Sequence, residues 1–304
     1  MRKITIVGCK LIAASVLCST VIVTDASAQI YSRSIKGSYE THLDISYARI
    51  AGGDLRLDVY ARTDSPGPHP TLIWFHAGGA MGQLTPTGKS SSTLQLLPYL
   101  EWGWNVVNVE WSLPVLTTAP LAAQNARCAL RWVGTNAEKY GFDPSRVVLS
   151  GFSGGAWLAL MTAMPPTPAP WESLCPGADT TKVAAVVSWS APTDFTSVLQ
   201  GPDAKAWAAD WFYGLTNRAE MAALMSPVNA AAPSTPPVII IHGDADPVVP
   251  FTQAKSLHDA LKRLGVEAQL VAVAGEPHVL SRKAREQAFA AVAAFLAKLR
   301  LPTQ

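Results

Sequence analysis

Three residues far apart in the chain have the types that together perform acyl transfer. Ser153 lies in Gly151-Phe152-Ser153-Gly154-Gly155, Asp246 in His242-Gly243-Asp244-Ala245-Asp246, and His278 in Gly275-Glu276-Pro277-His278. A serine hydroxyl is a poor nucleophile near neutral pH. It needs an imidazole within hydrogen-bond reach to take its proton, and a carboxylate to orient that imidazole. Gly-x-Ser-x-Gly by itself also fits an ordinary glycine-rich turn, so its weight comes from context. The apolar run Val147-Val148-Leu149 precedes it and Ala156-Trp157-Leu158-Ala159-Leu160 follows, a strand and then a helix. Glycines at 151 and 155 let the two elements close around a strained serine.

The elements that must position these residues follow from hydrophobic patterning. Strands are predicted at Glu40–Ala48, Leu55–Ala61, Thr71–Phe75, Asn105–Val109, up to the serine turn, at Val183–Trp189, Val238–Ile241 and Ala268–Val273. Helices are predicted at Thr93–Trp102, Leu121–Tyr140, after Ser153, at Thr252–Leu264 and at Arg282–Leu299. Short apolar strands alternating with such helices mean βαβ units: an α/β fold with a mainly parallel eight-stranded sheet flanked by helices. In such sheets ligands bind outside the carboxyl ends of the strands, which is where His76, Ser153, Asp246 and His278 all fall. Residues 195–225 break the alternation and read as a small cap over one edge.

The chain resembles an α/β-hydrolase of the hormone-sensitive-lipase and small-ester esterase group, the one with a His-Gly-Gly-Gly loop. The matching stretches are His76-Ala77-Gly78-Gly79, Ala129-Leu130-Arg131-Trp132, the Ser153 segment, His242 through Pro250, and Gly275-Glu276-Pro277-His278. The order Ser153, Asp246, His278 is also that group's order. The resemblance implies Ser153 as nucleophile, His278 as base and then acid, and Asp246 as its orienter. It implies backbone N–H groups of Gly78, Gly79 and Gly154 as an oxyanion hole, and no metal or organic cofactor. Asp244, and more remotely Asp194, compete as the acid. His76 reads as a loop organiser and His242 as part of a local turn. Trp111, Trp157, Trp207 and Trp211 line a substrate pocket on one reading and are core on the other. Two departures stand out: Ala77 replaces the first glycine of the loop, and Val279 follows the histidine where glycine is common. The implied activity is carboxylester hydrolysis on short-chain or aromatic acyl groups, free or linked to a polysaccharide. Amide cleavage of the arylformamidase or peptidase kind is the alternative on the same fold. A non-catalytic binding module is a remote third reading, and it expects a broken triad.

At the N-terminus, Arg2 and Lys3 precede an apolar stretch, and Ala26-Ser27-Ala28 offers a small-x-small cleavage site before Gln29. Residues 1–28 therefore read as a signal peptide and 29–304 as the hydrolase domain, secreted or periplasmic. Lys10 interrupts the alternative, an anchor, leaving Leu11–Val23 where a span needs about 20 residues. Without Arg2, Lys3, Lys10 and Asp25, the 24 basic and 22 acidic side chains fall to 21 of each. That balance argues against nucleic acid or an anionic membrane as partner. Cys9 and Cys18 leave with the leader. Cys128 and Cys175 remain, either a disulfide or two separate buried thiols.

Overall fold

The computed structural model describes residues 38–50, 53–78, 92–112, 117–165, 175, 177, 180–201 and 203–303. The expected signal peptide and Gly79 lie outside them. Eight strands form one sheet: β1 (Tyr39–Ile50), β2 (Gly53–Arg62), β3 (His69–Phe75), β4 (Asn105–Val109), β5 (Phe142–Phe152), β6 (Val183–Trp189), β7 (Val238–Gly243) and β8 (Ala268–Val273). Their order is β1-β2-β4-β3-β5-β6-β7-β8. The first two strands form a hairpin and β2 meets β4 antiparallel; every later pairing is parallel.

The central strands β3, β4, β6 and β7 are buried on both faces because both faces are covered. In β3, Ile73 and Phe75 join the core shared with α2 (Ala119–Thr135), α4 (Gly154–Ala163) and α8 (Phe251–Arg263). Leu72 and Trp74 face the other way, onto α1 (Thr93–Glu101) and α9 (Arg282–Lys298). The chain leaves β3 for β4 on one side, and β5 for β6 on the other. The strand order therefore switches between β3 and β5, and such sheets take ligands outside the carboxyl ends of the strands at that point.

The long helix expected over Leu121–Tyr140 is two helices, α2 and α3 (Ala137–Tyr140), divided at Asn136. Thr135 donates its hydroxyl to Arg131 O and Asn136 its amide to Trp132 O. The Asn136 N–H still bonds to Trp132 O (3.0 Å), and the break lies in the Asn136 backbone itself, at φ −102° and ψ 13°. Gly141, at φ 67°, ends α3 in the left-handed conformation.

Residues 195–225, expected as a cap, contain α5 (Phe195–Gln200), a 3₁₀ turn (Ala206–Phe212) and α6 (Arg218–Leu224), and α7 (Pro227–Ala230) follows. The segment is continuous with the core, because Phe195, Val198, Trp211, Phe212, Ala222 and Met225 are all buried in the cluster shared with α4. Three tethers fix it to the loop after β7 and to α8. Lys205 Nζ donates to Pro247 O (3.1 Å) and Trp207 Nε1 to Val248 O (3.2 Å). Asp203 accepts from Thr252 Oγ1 (2.6 Å) and Gln253 Nε2 (3.2 Å).

Cys128, on α2, is disulfide-bonded to Cys175. Among the described residues no helix is long and apolar enough to cross a membrane.

Candidate active site

Ser153 occupies the single residue between β5 and α4, at φ 57° and ψ −122°, a conformation that L-residues rarely adopt. The turn is this tight because its neighbours lack side chains. A Cβ on Gly151 would strike the backbone of Gly155 and Phe75, and one on Gly155 would strike the carbonyls of Phe75 and His76. The Ser153 N–H donates to Trp189 O (2.8 Å), tying the turn to the end of β6.

His278 lies on the loop after β8, which Glu276 stiffens by accepting from Ser281 N and Oγ (both 2.7 Å). The imidazole ring packs against Phe152, the residue before Ser153, with ring centres 4.9 Å apart. Ser190 Oγ, from the end of β6, donates to the His278 carbonyl (3.4 Å).

Of the three candidate carboxylates only Asp246 is hydrogen-bonded to His278, with Nδ1 2.7 Å from Oδ2. Asp244 instead accepts from Gly275 N (2.6 Å), clipping the two loops together. Asp194 caps α5, accepting from Ser197 N (3.1 Å). Asp246 Oδ1 accepts the N–H groups of Val248 (2.8 Å) and Val249 (2.9 Å). Oδ2 also lies 3.1 Å from His242 Nε2. Burial pushes this carboxyl up, but hydrogen bonds from His242 and His278, the His278 charge and the Val249 N–H outweigh it. The group is held well below the usual carboxylate range. The sequence reads His242 as a structural residue that satisfies local backbone groups of its strand-end turn, and its Nε2 does lie 2.8 Å from Val249 O; the additional approach to Asp246 is not foreseen there. The signal available was its spacing of four from Asp246 across one turn.

His76 organises the end of β3. Its ring spans Ala77 O (Nδ1, 2.6 Å) and Glu110 Oε1 (Nε2, 2.8 Å), and stacks on Trp111 at 5.4 Å. Trp111 Nε1 in turn donates to His76 O (3.0 Å). Gly78 therefore arrives beside Gly154, so close that a Cβ on Gly154 would strike Gly78 O.

The four tryptophans divide. Trp111, Trp157 and Trp211 are buried, with ring centres 5.9 Å apart for 111 and 211 and 4.9 Å for 157 and 211. Trp111 and Trp211 turn ring edges towards Gly78 and Gly154 respectively. Trp157 donates to Met225 O (2.8 Å) and packs against Phe195 and Trp211 in the core. Trp207 is partly exposed.

This sheet, with its serine turn and its histidine–aspartate pair at neighbouring strand ends, defines an α/β-hydrolase of the hormone-sensitive-lipase type. The BD-FAE family model matches residues 57–261, and the chain belongs to that family. It is 28% identical over 229 residues to the esterase LipQ of Mycobacterium tuberculosis, covering 73% of this chain and 53% of that protein. The chain thus spans about half the length of that relative. Two solved structures share the fold. A truncated carbohydrate esterase from gut microbiota is 23% identical with a TM-score of 0.69, over 87% of this chain and 98% of that one. Esterase Est2 of Thermogutta terrifontis, with propionate bound, is 21% identical with a TM-score of 0.72, over 90% and 98%.

Proposed function

We propose that the chain is a serine esterase acting through an acyl-enzyme intermediate. The observation that carries this reading is the Asp246–His278 hydrogen bond, beside a serine held at positive φ. His278 Nε2 takes the Ser153 proton as Oγ bonds to the ester carbonyl carbon. Negative charge moves to the carbonyl oxygen, where N–H groups of Gly154, Gly78 and Gly79 receive it. His278 then returns the proton to the departing alcohol. Water, deprotonated by the same imidazole, releases the acid and restores Ser153. No metal or organic cofactor enters these steps.

Ester rather than amide cleavage is favoured by kinship with LipQ, an esterase. The substrate is a small carboxylic ester with a short-chain or aromatic acyl group, free or carried on a polysaccharide. Short acyl groups suit a site in which Trp111 and Trp211 already press against Gly78 and Gly154. Residues 1–28 act as a signal peptide, so the mature enzyme is secreted or periplasmic; a disulfide fits an oxidising compartment.

Turnover of p-nitrophenyl acetate and labelling by a fluorophosphonate test the reading together. Both are expected to vanish in Ser153→Ala, and undiminished turnover in that variant would falsify the mechanism. A panel of acyl chain lengths and aromatic acids reads the pocket. N-terminal sequencing of the exported protein is expected to begin at Gln29.

A further inference from the structure

His242, near the end of β7, is completely buried. Its Nε2 faces two acceptors, Val249 O at 2.8 Å and Asp246 Oδ2 at 3.1 Å, so Nε2 carries a hydrogen. Its Nδ1 has no hydrogen-bond partner among the described residues, and the ring packs edge-on against Phe251 at 5.9 Å. A hydrogen on Nδ1 would be a buried donor without a partner, so the tautomer with its hydrogen on Nε2 fits the site. That hydrogen is shared between Val249 O, the nearer acceptor, and the oxygen that receives His278 Nδ1–H.

We propose that His242 is a positioning residue that acts on His278 through Asp246. This inference rests on the esterase reading of the site. Asp246 has two backbone N–H groups on Oδ1, and on Oδ2 the His278 N–H together with a share of the His242 N–H, which fix the plane of the carboxylate. Without the His242 donor, that plane can rock about the His278 bond. The charge on Oδ2 is then also less dispersed, and the His278 imidazolium gains stabilisation. The first effect slows turnover, and the second moves the protonation of His278 to higher pH. The other charged groups of these loops are engaged elsewhere: Asp244 with Gly275 N, Glu276 with Ser281, and Lys205 with Pro247 O.

The test compares His242→Leu, His242→Gln and His242→Asn with the parent chain, each with active sites titrated by a fluorophosphonate. A glutamine amide nitrogen falls near the position of Nε2; an asparagine amide falls short of it. Leu and Asn are expected to lower kcat about tenfold and to leave KM within about twofold. They are also expected to move the acid limb of kcat/KM up by about half a pH unit. Gln is expected to restore most of both. Folded, fully labelled Leu or Asn variants with the parent's kcat and acid limb overturn the proposal. So does a Gln variant that behaves like Asn, a comparison that stands even if Leu fails to fold. Failure of the parent chain to label at all overturns the esterase reading, and with it this premise.

Discussion

Asp246→Asn probes the site most sharply, because the geometry dictates how the amide must sit. The backbone N–H groups of Val248 and Val249 lie 2.8 and 2.9 Å from Oδ1 and cannot turn away. The asparagine oxygen must take that side, which aims its NH₂ at His278 and His242. Two donors then face each other across 2.7 Å unless His278 switches tautomer and presents a lone pair at Nδ1. In that tautomer Nε2 holds the proton and has no lone pair to offer Ser153. The expected loss in kcat is about 10³- to 10⁴-fold, equivalent to roughly 4 to 5.5 kcal/mol. It is read as turnover of p-nitrophenyl acetate per intact active centre, with thermal unfolding as the control for folding. Asp244→Asn and Asp194→Asn serve as comparators, since neither carboxylate touches His278, and each should stay within about tenfold of the parent. A folded Asp246→Asn that loses less than tenfold would refute the assignment, as would an Asp244→Asn that loses as much.

Three further outcomes follow from the same structure. Removing the Cys128–Cys175 disulfide frees a 47-residue separation in the unfolded chain. It should cost about 4 kcal/mol, or roughly 7 °C in Tm for a domain of this size, by calorimetry under non-reducing conditions. Gly155→Ala drives a methyl into the carbonyls of Phe75 and His76, so folded protein should show a lowered Tm and fluorophosphonate labelling slowed at least about tenfold. Asp246 is held below its unfolded carboxyl pKa. Its contribution to stability is therefore complete above about pH 4 and is lost as pH falls further. Denaturant midpoints of the parent should accordingly fall more steeply below about pH 4 than those of Asp246→Asn.

The central strands were legible because strands covered on both faces are built mainly of apolar residues. Asn105–Val109 and Val183–Trp189 were expected and observed with identical ends, as was the edge strand Ala268–Val273. Periodicity was a weaker guide between Leu121 and Tyr140. The pattern runs through Asn136, where the backbone leaves helical values although its N–H keeps the bond to Trp132 O. Ser153, Asp246 and His278 were readable because the site needs those residue types at strand ends in that order. His242 was not, since its role depends on a turn that folds position 242 back onto 246. Nor could sequence divide the tryptophans: residue type alone does not separate Trp111 and Trp157 from Trp207, yet of these three only the last reaches solvent.

The tethers of residues 195–225 bear on how such a chain can change its substrate. Asp203, Lys205 and Trp207 grip the strand-end loop that carries Asp246, and α8 behind it. This segment is thus mechanically coupled to the loop that holds Asp246. Substitutions at the three anchors would disturb any substrate alike, whereas the exposed positions Ala209, Tyr213, Gly214 and Thr216 are decoupled from it. A library built to broaden specificity is best drawn from those outer positions. A lineage that lost Trp207 while altering its acyl preference would need a new partner for the Val248 carbonyl.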